Sequence, residues 1–267
     1  MLHFETVMRF SLIIALLFAA AAAAAKPQPR SAMGIWVPLD VDCRGEGHPI
    51  IVFDPGANRT SASWSKVSEP LSRLTRVCVY DRTGAPFTSH RPTALSDAHA
   101  LRNLLAAKKE ESPYVLVGQS YGALIVREYA GTFPQQVAGL VLVDSPHEDY
   151  ANERASLRHE PPPSYEPEHS IIDWPTTFSE LRGIKTLGDI PIIVLSSANN
   201  RYVSDATDLK LWLQLQAELA KLSTRGIQRT IPNVDYSIPI DAPDSVIHAV
   251  RELVDVARHE SARPPIH

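Results

Sequence analysis

The sequence predicts one α/β domain with a mostly parallel sheet covered by helices on both faces. Three observations carry this: short uninterrupted apolar runs, segments of helical period between them, and the alternation of the two. The apolar runs are 50–53, 77–80, 114–117, 138–143 and 190–195. Strands apolar on both sides suit a sheet buried between layers of helices. Residues 63–74, 94–109 and 121–132 have helical spacing, and in the second Ala98, Leu101, Leu104 and Leu105 share one side. Strictly alternating elements favour a parallel sheet over separate α and β domains.

The chain has 267 residues, 44% hydrophobic and 21% charged, enough for one substantial core. A net charge of −4 with both signs interspersed gives no reason to expect a nucleic-acid partner or an anionic membrane surface. The ten histidines and two cysteines form no close cluster of metal-ligand spacing, so neither metal nor organic cofactor is implied.

The N-terminus reads as a signal peptide. Arg9 precedes an apolar run over residues 10–25, closed by Ala23-Ala24-Ala25 before Lys26. Charged flank, apolar stretch and small-residue cleavage site are the parts of an export signal. The run falls short of the roughly 20 residues of a comfortable membrane span, which disfavours an uncleaved anchor. The expected product is exported, periplasmic or extracellular, with no stable membrane span after cleavage and a domain over 26–267. In an oxidising compartment Cys43 and Cys78 can be a disulfide or two buried thiols.

Past the Pro-rich leader at 26–30, the first strand-like run ends in the turn signal Asp54-Pro55-Gly56. The segment 145–189 breaks the rhythm: it is rich in proline and charge, and a connection of that length suits a cap-like insertion over the sheet. Residues 206–222 form an amphipathic helix through Leu209, Trp212, Leu213, Gln216 and Leu219, closed by Gly226. A last helix over 244–260 begins after Asp241-Ala242-Pro243.

Gly118-Gln119-Ser120-Tyr121-Gly122 lies where the run 114–117 meets the helix 121–132. A sharp strand-to-helix turn lifts such a serine above the strand ends, and glycines are needed where side chains would collide. The N–H of Tyr121 at the helix start can stabilise an oxyanion, helped by the helix dipole.

With that motif the chain resembles exported bacterial α/β-hydrolases of serine esterase and lipase type, from about Gly34 to the last helix. The resemblance is carried by Pro49-Ile50-Ile51-Val52-Phe53-Asp54-Pro55-Gly56, Ser61-Ala62-Ser63-Trp64, Val79-Tyr80-Asp81-Arg82-Thr83-Gly84, the elbow with its strand, and Gly139-Leu140-Val141-Leu142-Val143-Asp144. It implies an α/β-hydrolase fold with an eight-stranded, mostly parallel sheet in which the strands holding Cys43 and Cys78 are neighbours, favouring the disulfide. It implies hydrolysis of carboxylic esters with Ser120 as nucleophile. It places the second oxyanion donor on the N–H of Ala57, beside Asn58.

The same resemblance leaves the acid and base open. The family's acid follows the sixth or the seventh strand. Asp144 stands at the carboxyl end of 138–143, whereas the run 190–195 is followed by no carboxylate until Asp205. Asp144 is the preferred acid, because ligands gather at the carboxyl edge of an open sheet. The family's histidine falls on Tyr236, followed by Asp241-Ala242-Pro243-Asp244. A phenol of pKa near 10 does not readily accept a proton at neutral pH. His147, three residues beyond Asp144, is the alternative base; His169 in the insertion and His248 in the last helix are poorer ones. The expectation is therefore a serine hydrolase with a non-standard base, or an impaired homologue that binds a small apolar ligand.

Overall fold

The computed structural model describes residues 41–82, 91–161, 170–200 and 203–262. The expected signal segment, Gly84 and His169 lie outside them. Seven strands form one sheet: β1 (Val41–Arg44), β2 (Ile50–Asp54), β3 (Val77–Tyr80), β4 (Tyr114–Gln119), β5 (Val137–Val143), β6 (Ile192–Ser197) and β7 (Gly226–Ile231). Their spatial order is β1-β3-β2-β4-β5-β6-β7, with β1 antiparallel to β3 and the other pairs parallel. Among the described residues the sheet thus has seven strands where eight were expected.

The runs are apolar throughout because each strand serves two cores. Ile50, Val52, Leu116, Leu140, Leu142, Ile192 and Val194 face one core. Ile51, Phe53, Val115, Val117, Val141, Val143, Ile193 and Leu195 face the other. Helices α2 (Ala94–Ala107) and α3 (Tyr121–Thr132) close the first. The short α1 (Ser65–Leu71) and the long α7 (Pro243–Ser261) close the second. Thr93 opens α2 with a capping box that satisfies orphan N–H groups reciprocally with Ser96.

Two helices occupy the connection after β5: α4 (Tyr150–Arg158) and α5 (Trp174–Leu181). They are tied down by charge. Buried Arg127 of α3 donates to both Glu148 oxygens at 2.8 and 2.7 Å, and Arg182 donates to Asp149 at 2.8 Å. Arg154 and Arg158 of α4 bond Asp208 in α6 (Ala206–Ala220).

One expectation needs correcting. Gly226 starts β7 and does not close α6, which ends at Ala220; a Cβ at Gly226 would lie 1.8 Å from the Ala220 carbonyl oxygen. β7 itself is not an apolar run, because this edge strand is partly exposed along its length and carries Gln228, Arg229 and Thr230. Cys43 and Cys78 stand directly opposite each other in the β1–β3 register and are joined as a disulfide.

Candidate active site

The turn between β4 and α3 is forced by close packing. A Cβ at Gly118 would lie 2.4 Å from the Gly122 carbonyl oxygen, and one at Gly122 only 2.3 Å from that of Asp54. Between these glycines Ser120 has φ 53° and ψ −121°, a left-handed-side conformation that costs a non-glycine residue of order 1–3 kcal/mol. The surroundings hold it there: its N–H donates to the Val143 carbonyl at 3.0 Å, and its own carbonyl accepts from Ala123 N–H at 2.9 Å. Ser120 remains partly exposed at the wall of a cavity of about 390 Å³.

Around the serine the cavity is lined by Gly56, Ala57 and Asn58 from the turn after β2, and by Tyr150, Trp174, Trp212 and Tyr236. Gly56 runs close to the nucleophile, since a Cβ there would sit 3.5 Å from Ser120 Cβ. Tyr121 is the first residue of α3, where a backbone N–H has no partner within the helix. The aromatic wall is braced by edge-to-face pairs, Trp174 on Tyr121 at 5.5 Å and Trp212 on Tyr150 at 5.4 Å.

Asp144 follows β5 with φ 42° and is fully buried. Its N–H donates to the Leu195 carbonyl at 2.8 Å. Its Oδ1 accepts from the Ser197 N–H at 2.8 Å and the Ser197 hydroxyl at 3.0 Å, while Oδ2 has no hydrogen-bond partner. Burial pushes the carboxyl up to about 7; the Ser197 bonds oppose this, and the Asp235 carboxylate adds to it. Asp205 has different work. It caps α6 by accepting from Thr207 and Asp208 N–H, and it pairs with Arg158.

Tyr236 reaches the cavity because its loop is pinned to the elbow, where Gln119 Nε2 donates to the Tyr236 carbonyl at 2.9 Å. His147 is not among the cavity-lining residues. Its Nδ1 accepts from the Asp149 N–H at 3.2 Å, and burial lowers its pKa. A neutral imidazole bonded that way carries its proton on Nε2 and presents a donor. His48, His99, His159, His248 and His259 are exposed. Among the described residues, Cys43, Cys78 and Glu110 lie close enough for a metal, but the sulfurs are joined and offer no thiolate.

Sequence reasoning passed over one cluster here. Tyr80 and Arg82 both donate to buried Asp54, and Arg82 also donates to the Gly56 carbonyl at 2.5 Å. The guanidinium stands 5.4 Å from the Tyr121 ring, whose hydroxyl donates to Asp97 at 2.9 Å. Burial raises Asp54 to about 6 and Asp97 to about 7. The signal was present in the quoted Tyr80-Asp81-Arg82 segment, but nothing local connects it with residue 56.

A mostly parallel sheet of this order, with a strained serine at the β4–α3 turn, defines the α/β-hydrolase fold. The family model described as alpha/beta hydrolase fold matches residues 49–166. The chain is 26% identical over 228 residues to "Uncharacterized protein YqjL" of Bacillus subtilis, covering 82% of this chain and 88% of that one. It is 34% identical over 107 residues to an "AB hydrolase superfamily protein" of Gibberella zeae, covering 38% of this chain but only 33% of that protein. Among solved structures, an esterase of Thermogutta terrifontis superimposes with a TM-score of 0.58 at 18% identity, over 82% of this chain and 93% of that one. The carboxylesterase CesB of Bacillus subtilis gives 0.57 at 13% identity, over 80% and 86%.

Proposed function

We propose that the protein is a serine hydrolase of carboxylic esters, with Ser120 as nucleophile, Ala57 and Tyr121 N–H groups as oxyanion donors and Asp144 as the acid. The observation that carries this reading is the strained Ser120 backbone, held beside Gly56 at the wall of an apolar cavity. Strain at such a turn is retained where it presents a reactive group. Ser120 Oγ attacks the ester carbonyl as its proton passes to solvent, the two N–H groups hold the oxyanion, the alcohol leaves with a proton returned from solvent, and water hydrolyses the acyl-serine to release the acid and restore Ser120. The apolar, aromatic wall supports a small uncharged acyl or alcohol group as the ligand. An exported protein whose 145–189 segment serves as a cap over the site agrees with the disulfide and with α4 and α5 lending Tyr150 and Trp174 to the wall.

A second reading, a homologue that binds a small apolar ligand with little turnover, is favoured by Tyr236 at the wall and by the tautomer of His147. Without a base, binding and the oxyanion donors alone leave roughly 10³–10⁴-fold acceleration over water. Hydrolysis of p-nitrophenyl acetate and butyrate by wild type, Ser120→Ala and Tyr236→His separates the two. Wild-type turnover that vanishes in Ser120→Ala supports the hydrolase. Activity gained only in Tyr236→His marks a hydrolase scaffold lacking its base. Silence in all three refutes ester hydrolysis by this site.

A further inference from the structure

We infer that Arg82 is a positioning residue that sets both oxyanion donors at once, an inference that rests on the serine-hydrolase reading. Its guanidinium hydrogen-bonds the Gly56 carbonyl and stands over the Tyr121 ring.

The argument starts from the geometry of one peptide group. The carbonyl of Gly56 and the N–H of Ala57 belong to the same planar unit and point in opposite directions. A donor on the carbonyl therefore fixes where the N–H points. A charged donor also polarises the peptide, because hydrogen bonds in series strengthen one another. Arg82 supplies such a bond at 2.5 Å, and the Arg59 N–H adds a second, weaker one at 3.2 Å. This peptide passes beside the nucleophile, as the 3.5 Å separation between a Cβ at Gly56 and Ser120 Cβ shows.

The guanidinium is itself held. Its side chain is only 7% exposed, and its Nη1 pairs with Asp54, which is fully buried and also accepts from Tyr80. Against its burial, Arg82 and the Tyr80 hydroxyl both favour the ionised form of Asp54, and that carboxylate balances the cation. On the other side Tyr121 is anchored at its hydroxyl by Asp97. Fixing that ring fixes the start of α3, and with it the Tyr121 N–H. A planar fork can serve a carboxylate, a carbonyl and a ring face together, which an ammonium cannot.

The test uses the full chain as wild type, Arg82→Met and Arg82→Lys, with folding checked by circular dichroism. Two rates are read: phosphonylation of Ser120 by a fluorophosphonate probe, and kcat and KM for p-nitrophenyl butyrate. One misaligned donor costs about 10²–10³ in rate. Arg82→Met is expected to lose about 10²-fold in kcat and in phosphonylation with KM within threefold, and Arg82→Lys to regain part of it. Wild-type kcat and labelling in either folded variant, or a loss confined to KM, overturns the inference. If Arg82→Met does not fold, Arg82→Lys decides: about a tenfold fall in kcat at unchanged KM supports the role, and unchanged kcat refutes it. Wild-type Ser120 that resists the probe overturns the serine-hydrolase reading, and this inference with it. Equal labelling of all three proteins overturns the role of Arg82 alone.

Discussion

Replacing Asp144 with asparagine tests the electrostatics of the site through stability. Burial raises this carboxyl from its ordinary 3.8 to about 7. A raised folded-state pKa means that the stability contributed by the neutral group is complete below pH 3.8 and is lost as pH rises through about 7. The gap of about 3 pH units corresponds to about 4 kcal/mol at about 1.4 kcal/mol per unit. Asparagine is the neutral isostere of the protonated acid. Its carbonyl keeps the Ser197 bonds made by Oδ1, and its amide stands where the unpartnered Oδ2 stood. Asp144→Asn should therefore stabilise the protein by up to about 4 kcal/mol at pH 8, and by less than about 2 kcal/mol at pH 5. Urea unfolding of both proteins between pH 4 and 8 measures this directly. A variant that is less stable than wild type at pH 8, or a difference independent of pH, would refute the reasoning.

Three further outcomes are expected. Gly122→Ala should destabilise by several kcal/mol, because the new Cβ would lie 2.3 Å from the Asp54 carbonyl oxygen; thermal unfolding reads it. Arg127→Met leaves Glu148 buried without its cation and should cost about 3 kcal/mol in urea unfolding, with α4 and α5 becoming sensitive to proteolysis first. Reduction of Cys43–Cys78, which closes a loop of sequence separation 35, should lower stability by about 4 kcal/mol on the chain-entropy account, while Cys43→Ala/Cys78→Ala should be indifferent to reductant.

Much of the framework is legible locally. The runs at 50–53, 77–80 and 114–117 became β2, β3 and β4 with little change, and the helix over 121–132 has the expected bounds. The serine turn is equally local, since glycines at 118 and 122 are demanded by collisions within a few residues and with one neighbouring strand. Strand β7 was hidden because an edge strand need not be apolar, and its period is blurred by partial exposure. The helices after β5 were hidden by a prolyl, charged composition, because what holds them lies far off in the chain: Phe178 and Leu181 of α5 pack into the first core, and Arg154 of α4 pairs with Asp208 of α6.

By itself, then, the sequence determined the layers of the fold, the elbow and the position of Ser120, because each depends on residues close together in the chain. Only the tertiary structure decided the rest. Sheet order brought Asp144 against Ser197, β1–β3 register set Cys43 opposite Cys78, and Gln119 drew Tyr236 to the cavity. It also set Arg82 on the Gly56 carbonyl and gave Asp205 to a helix cap. The physical reason is that these pairings join segments tens of residues apart. Their partners are selected by which strands lie side by side, and no local period encodes that.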